Sequence, residues 1–363
     1  MKVNRNVFLN CLERVFPAVD KNSLFEEYQN FNFCGKKVLT TNGSIWMETV
    51  LPEGLNWEAS ILADPLCSLL KKIAEEEVSL EIKNGKLCIE TPTLSGNFAV
   101  RPPRTIKLPS IGEKALAVKG EQLNDLISGL DFCRYGVSKD MTIGAYCGVK
   151  VREETVWGCD RYRVLSWNLS FKLEGLDFCL PRKVVNLLIL ERSNLQQLSF
   201  TPGKNFGGII EVILSDGTVM VASCLEGEYT DLNRFFPGVG ILAEEVKLDE
   251  KFPEILGRHL VVLSDVPNED KAVEFRVSNQ SVTTISKRFV VSGSQDLARS
   301  LTEVSGLSAV REGNNFEFSV HPLLLRDAFG ICSWTFKYFP DKSVVLFEGE
   351  KFKYLVKVRQ PNG

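Results

Sequence analysis

The run "VWGCDRYRVLSW", Val156 to Trp167, holds a knot of charge: Asp160, Arg161 and Arg163 surround Tyr162, with apolar segments on both sides. Such a knot can be an acid–base cluster, or the tip of a hairpin that a partner grips. Apolar flanks around Gly-Cys-Asp-Arg predict two strands joined by a solvated turn. Other side chains suited to catalysis are few. There are two histidines, His259 and His321, and His259 falls on the apolar face of a predicted helix, where a hydrogen-bonded core histidine is the commoner role. The sequence has no Gly-rich phosphate loop, no Gly-x-Ser-x-Gly and no His/Cys/Asp spacing for a metal. Paired carboxylates are available among 46 Asp and Glu, but none stands out. The expectation is a chain with no catalytic residues, no metal and no cofactor.

Whatever this knot does, other elements must hold it. A chain of 363 residues predicts two or three domains, and 44% hydrophobic with 25% charged residues is an ordinary globular balance. Lys and Arg number 43, so the net charge is −3. That excludes a chain coated all round in positive charge, but permits positive charge on one face. Ten cysteines are scattered singly without a Cys-x-x-Cys pair, and read as small buried hydrophobes in a reducing cytoplasm. The start "MKVNRNVFLN" lacks a cleavable apolar region, and no apolar run approaches the roughly 18 residues that span a bilayer. A soluble, cytoplasmic protein is expected.

A helical pattern recurs along the whole length. Phe8, Cys11, Leu12 and Val15 have the i, i+3, i+4, i+7 spacing of one helical face, and Leu66, Leu69, Leu70 and Ile73 repeat it. So do Leu123, Leu126, Ile127 and Leu130. Val184, Leu187 and Leu188 follow, then Phe252, Ile255, Leu256 and His259, then Leu325, Ala328, Phe329 and Cys332. The anchors lie roughly 57 to 73 residues apart, the mark of a repeated unit. Short alternating segments lead into each helix, and Pro65, Pro181 and Pro322 sit near helix starts, where a missing N–H has no intrahelical partner to lose. After the helices come hairpins such as "VSLEIKNGKLCIE" and "IIEVILSDGTVMVAS", with Asn84-Gly85 and Asp216-Gly217 at the turns, and "SVVLFEGEKFKYLVKV" near the end. The unit is strand, helix, then several antiparallel strands, six times over. Two units sharing a core make a domain of roughly 120 residues. We expect an α+β chain of three such domains at 1–113, 114–240 and 241–363, with boundaries near Lys114 and Gly240.

This arrangement resembles the bacterial sliding clamp, the beta subunit of DNA polymerase III. "GCDRYRVLSW" is similar to that family's Thr-Asp-Gly-His-Arg-Leu-Ala segment, with Asp160, Arg163 and Val164 in matching places. "CLPRKVVNLLI" resembles its Val-Pro-Arg-Lys helix start through Pro181, Arg182 and Lys183. "LEGEYTDLNRFFP" resembles the run that closes its second domain, through Glu226-Gly227, Asp231, Arg234 and Pro237. The similarity covers essentially the full length and is clearest in the second domain.

The resemblance implies a DNA-clamp fold: a head-to-tail homodimer closed into a ring around duplex DNA, with helices lining the hole and antiparallel sheets outside. It also implies partners, a DNA polymerase catalytic subunit and a clamp loader, held through a peptide pocket between the second and third domains. Carried over, that pocket comprises Cys159, Asp160, Arg161, Tyr162, Arg163, Val164 and Pro237, with Ser343, Val345, Leu355, Val356, Lys357 and Val358 from the last hairpin. Tyr162 and Val164 are expected as apolar wall, Arg161 and Arg163 as rim donors. Two features depart from the family. Arg161-Tyr162 replace Gly-His, and the chain ends "YLVKVRQPNG" where the family has a Met-Pro-Met-Arg-Leu-like ending.

Weak, sequence-independent phosphate contacts suit a ring that slides. The candidate DNA-facing residues are Arg14, Lys21, Lys71, Lys72, Arg134, Arg182, Lys183, Arg192, Lys251, Arg258 and Arg326. The helical stretches also carry Glu75, Glu76, Glu77, Glu121, Asp125, Asp131 and Glu254, which must face away or sit at helix ends. For the ring contact, Phe98 resembles the edge-strand aromatic of the first domain, and Val262 and Leu263 the apolar pair opposite it. Two other classes stay open from the residues alone: an unrecognised enzyme, and a repeat-built protein-interaction scaffold without DNA.

Overall fold

In a computed structural model of the chain the described residues are 1–103, 106–110, 116–203, 207–238, 240–248, 251–264, 266, 271–278, 281–291, 297–307, 315–332 and 335–360. The expected boundary at Lys114 lies outside them.

The elements come in a strict order. The chain opens with β1 (Lys2–Asn4), α1 (Arg5–Val15), a one-turn α2 (Glu26–Gln29), β2 (Asn30–Gly35), β3 (Lys37–Thr41) and β4 (Ile45–Val50). Next are β5 (Trp57–Leu62), α3 (Ala63–Lys72), β6 (Glu77–Lys83), β7 (Lys86–Glu90) and β8 (Ser95–Ala99). The middle holds β9 (Leu116–Lys119), α4 (Gly120–Cys133), β10 (Gly148–Arg152), β11 (Thr155–Cys159) and β12 (Arg163–Asn168). It continues with β13 (Asp177–Pro181), α5 (Arg182–Leu190), β14 (Leu195–Thr201), β15 (Ile209–Leu214) and β16 (Val219–Ser223). The last part holds β17 (Glu244–Lys247), α6 (Phe252–Val262), β18 (Val273–Val277), β19 (Val282–Val291) and β20 (Leu297–Leu307). It ends with β21 (Phe316–Val320), α7 (Pro322–Ile331), β22 (Thr335–Phe339), β23 (Val344–Glu348) and β24 (Phe352–Lys357). Strand, helix and three strands thus recur six times, with α2 as an insertion, and the fold class is α+β as expected.

The chain packs into two compact units: Met1–Ile127 with Phe178–Glu226, and Ser128–Asp177 with Gly227–Gly363. In the first, β1-β6-β7-β8 form one antiparallel sheet and β5-β2-β3-β4-β16-β15-β14-β9 a second. The seam of the larger sheet is β4 against β16, where Met47 pairs Met220. In the second unit the strands run β10-β11-β12-β24-β23-β22-β17, beside a sheet ordered β20-β19-β18-β21. There the seam is β12 against β24, with Leu165 opposite Tyr354.

Apart from α2, the helices form where the apolar period predicts them and bury residues of that face. Phe8, Leu9, Leu12 and Val15 of α1 are buried, as are Leu66, Cys67 and Leu70 of α3. Buried faces at 3.6-residue spacing, more than intrinsic propensity, hold such short helices together. Caps finish their ends. The Asn4 side chain accepts from the Val7 N–H at 3.1 Å, and His321 Nδ1 accepts from the Leu323 N–H at 3.2 Å. In the second unit, Phe275 of β18 stacks on its cross-strand partner Phe318 of β21, with ring centroids 4.9 Å apart. Asn84 and Gly85 both take positive φ at their turn. At the other hairpin only Gly217 does, because Asp216 instead uses its carboxylate to accept the Thr218 N–H at 2.9 Å.

All ten cysteines are free. Cys34 is exposed and Cys11 and Cys332 half-buried, contrary to the expectation of burial, while the other seven are buried.

Candidate functional site

The charged knot is a hairpin tip. β11 and β12 pair with Cys159 opposite Val164, and the Asp160 N–H closes the turn on the Arg163 carbonyl at 3.1 Å. Neither tip residue, Arg161 or Tyr162, has positive φ. The turn is shaped by the Asp160 carboxylate, whose Oδ1 accepts the N–H of Tyr162 at 2.8 Å and of Arg163 at 2.9 Å. This bonding does locally what a glycine would otherwise do, and leaves room for the bulky Arg-Tyr pair.

The tip lies beside the C-terminal hairpin, as expected. β12 pairs β24 with Arg163 opposite Val356 and Val164 opposite Leu355. The Lys357 N–H donates to the Tyr162 carbonyl at 2.8 Å, and the Val358 N–H to the Ser343 carbonyl at 2.9 Å. β23 lies on the far side of β24, with Val345 opposite Val356. The segment before Pro237 joins them: Phe236 packs on Trp157 at 6.1 Å, Lys353 Nζ stands 5.6 Å from its ring, and Lys342 Nζ donates to its carbonyl at 3.5 Å.

Exposure divides these residues. Arg161, Tyr162 and Lys357 are exposed, and Pro237 and Ser343 half-buried. Cys159, Val164, Val345, Leu355, Val356 and Val358 are buried core, Val356 fully so. Val164 therefore stands behind the surface, and the reading of it as wall is corrected: its side chain faces the core of the sheet.

Arg163 needs a larger correction. Its side chain is 13% exposed, and its Nε and Nη1 are bonded inside the protein. Nε donates to Asp160 Oδ2 at 3.0 Å, while Nη1 donates to Asp327 Oδ2 at 2.7 Å and to the Tyr354 hydroxyl at 3.0 Å. The Tyr354 hydroxyl in turn donates to the Leu324 carbonyl at 3.0 Å. Burial alone would lower the basicity of Arg163, but Tyr354, Asp160 and Asp327 outweigh it and hold the side chain charged. Burial pushes the Tyr354 phenol up, so it stays a neutral donor. Arg163 is a buried clamp, not a rim donor. No sequence spacing points to Asp327 or Tyr354, 164 and 191 residues away.

A cavity of about 160 Å³ opens on the same sheet, lined by Lys150, Arg152, Thr155, Trp157, Tyr229 and Asp231 among others. None of the expected pocket residues lines it.

Several expected DNA-facing cations are already paired. In the first unit Arg14 bonds Glu191 at 2.6 Å and Asp216 at 3.1 Å, Lys21 bonds Asp64 at 2.5 Å and Lys71 bonds Glu13 at 2.7 Å. In the second unit Arg134 pairs Asp131 at 2.9 Å and Arg326 pairs Asp327 at 3.4 Å. Lys72, Lys183, Arg192, Lys251 and Arg258 are exposed, and Arg182 is half-buried. Of the carboxylates that had to keep clear, Glu121 and Glu254 sit in first helical turns. Glu75 lies past the end of α3 and accepts from Thr91 Oγ1 at 3.0 Å. Glu76 also follows α3, Glu77 opens β6, and Asp125 is half-buried within α4.

Phe98 is half-buried on β8, an edge strand. Leu263 closes α6 and is 1% exposed, so its place as an interface residue is corrected: it belongs to its own core. Val262 is half-buried, and the side chain that α6 does turn outward is Val261, 74% exposed.

The histidines have structural partners. His259 is fully buried, with Nδ1 2.9 Å from Ser286 Oγ and Nε2 2.9 Å from Thr284 Oγ1, bonding α6 to β19. Among the described residues no group of three His, Cys, Asp or Glu could hold a metal ion, and no helix is long and apolar enough to cross a membrane.

No family model matches the chain, and no curated protein matches it in sequence. Solved structures do match. The DNA polymerase III subunit beta of Pseudomonas aeruginosa is 15% identical with a TM-score of 0.78, covering 99% of both chains. The beta sliding clamp of Caulobacter crescentus, solved with PEG bound to a putative beta-motif tethering region, is 16% identical with a TM-score of 0.80, covering 99% of this chain and 98% of that one. A Bartonella birtlesii sliding clamp bound to griselimycin is 15% identical with a TM-score of 0.80, covering 99% of each. The fold of this chain, from end to end, is the fold of these clamps.

Proposed function

We propose that this chain is a DNA polymerase processivity factor: a homodimeric ring that encircles duplex DNA, slides on it and tethers a polymerase and other partners. The observation that carries the reading is the correspondence of fold over 99% of both chains. The sixfold strand-helix-strands order supports a division into three domains at 1–113, 114–240 and 241–363. Such a ring needs no chemistry. It holds DNA by topology, and its cations must be weak enough to let go. Arg14, Lys21, Lys71, Lys72, Arg134, Arg182, Lys183, Arg192, Lys251, Arg258 and Arg326 are the side chains we assign to phosphate contact. For the ring contact we retain Phe98 and Val262.

The peptide pocket lies where the Asp160–Val164 turn, Pro237 and the C-terminal hairpin meet. Arg161, Tyr162, Lys357, Pro237 and Ser343 form its accessible surface, and the buried valines and leucines form the layer beneath. The tethering region named for the Caulobacter clamp supports a site of this kind. Its partners would be short linear segments of the polymerase and the loader.

Sedimentation tests the reading first, with an expected mass near twice 40.7 kDa. Negative-stain images of that species should show closed rings. A compact particle of that mass without a central hole would overturn the proposal in favour of a protein-interaction scaffold.

A further inference from the structure

We infer that Asp327, on helix α7, is a positioning residue for the peptide pocket, acting through Arg163 on the turn that carries Arg161 and Tyr162. The inference rests on the reading of that turn as a wall of the pocket. The two residues a partner would meet, Arg161 and Tyr162, are exposed and occupy a tip without glycine or positive φ. Within the turn one carboxylate, Asp160, holds the N–H groups of Tyr162 and Arg163, while the Tyr162 carbonyl accepts from the Lys357 N–H of β24. That carboxylate is oriented by Arg163 Nε on its other oxygen. Arg163 is in turn fixed by Asp327 Oδ2 and the Tyr354 hydroxyl on Nη1. Tip, arginine and helix form one unbroken chain of charge-assisted bonds, which are shorter and stronger than neutral ones.

The chain has one weak point. Asp160 and Arg163 are neighbours and stay close whatever α7 does, but the one bond from Nε to Asp160 still leaves the guanidinium free to swing. Asp327, together with the Tyr354 hydroxyl, removes that freedom, because it stands on a helix capped by His321, with Leu325 and Ala328 buried and Phe329 packed on Phe347 of β23 at 5.3 Å. Its other oxygen faces Arg326 at 3.4 Å, so Oδ2 is left to Arg163. A pre-set tip costs a partner less ordering on binding, and loosening it should weaken affinity without removing any contact residue.

The test uses the full chain and two readouts, amide hydrogen exchange and binding of a fluorescein-labelled peptide ending in Leu-Phe. In Asp327→Asn, exchange at Tyr162 and Arg163 should quicken about tenfold while the β23–β24 pairs keep their protection, and peptide affinity should fall about fivefold or more. Asp327→Glu should recover part of both. Tyr354→Phe, which removes one bond and keeps the ring, should give a smaller effect and covers the case in which Asp327→Asn folds poorly. Unchanged exchange at the tip with unchanged affinity overturns the inference and leaves the pocket reading standing, as does exchange that quickens equally throughout the sheet. A wild-type chain that does not bind the peptide overturns the pocket reading, and the inference with it.

Discussion

Arg163 has the residue type and position for gripping a partner, yet its surroundings give it another task. A guanidinium removed from water must find partners for its donors, and here two carboxylates and a phenol supply them. His259 shows the same principle in a neutral group. Burial lowers its pKa from the ordinary 6.5, since the charged ring would lose its hydration. The unfolded chain therefore binds a proton that the folded chain refuses. The stability His259 contributes is complete above pH 6.5 and is lost as the pH falls from there towards its lowered folded value. Thermal unfolding followed from pH 7.5 to about 5.5 should show a decline that is shallower in His259→Gln. Equal declines in the two proteins would remove His259 as the source.

At the scale of elements, the tip is positioned by how closely α4 approaches β11. A Cβ on Gly158 would lie 1.9 Å from the Cys133 carbonyl, and one on Gly136 would lie 2.7 Å from the Gly158 carbonyl. Two glycines therefore let the end of a helix, the 3-10 turn after it (Arg134–Gly136) and a strand touch backbone to backbone. The clash in either case is with main chain, which cannot rotate away. Gly158→Ala should cost about 3 kcal/mol, the upper range for overpacking, read as a lower denaturation midpoint with an unchanged slope. A midpoint within error of wild type would mean that the contact is looser than it is drawn. Gly158 lies two residues from Asp160, so peptide affinity should fall with stability.

For the molecule as a whole, charge placement matters more than charge total. The balance of 43 cations and 46 carboxylates says little until Arg14, Lys21 and Lys71 are found paired to acids. Pairing of that kind thins the positive field and suits a weak hold on phosphate, which salt screens further. Arg182 and Lys183 begin α5, and neither has an acidic residue beside it in the first turn. Reversing both to Glu should reduce retention on closed circular DNA severalfold at about 0.1 M salt, measured by gel filtration of the complex, with less difference at high salt. Retention equal to wild type at both salts would take these two residues out of any DNA-facing role.

Much of this was legible in the sequence because it is local. Six apolar stripes at helical period, the alternation of the strands and turns such as Asn84-Gly85 each depend on neighbours within a few positions, and the six helices those stripes predict and the named hairpins appear where those patterns put them, α2 being a helix they did not announce. The turn beside the last hairpin was also foreseen, though through resemblance. Tertiary structure decided the rest. The seams β4–β16 and β12–β24 join strands more than 160 residues apart, and no local pattern specifies which edges meet. Burial of Leu263 and exposure of Val261 differ by a rotation of the helix end that periodicity leaves undetermined. The partners of Arg163 came from a helix and a strand that only folding brings to it. Short-range periodicity shapes elements, while the pairing of distant edges and the loss of water around a charge depend on the whole chain.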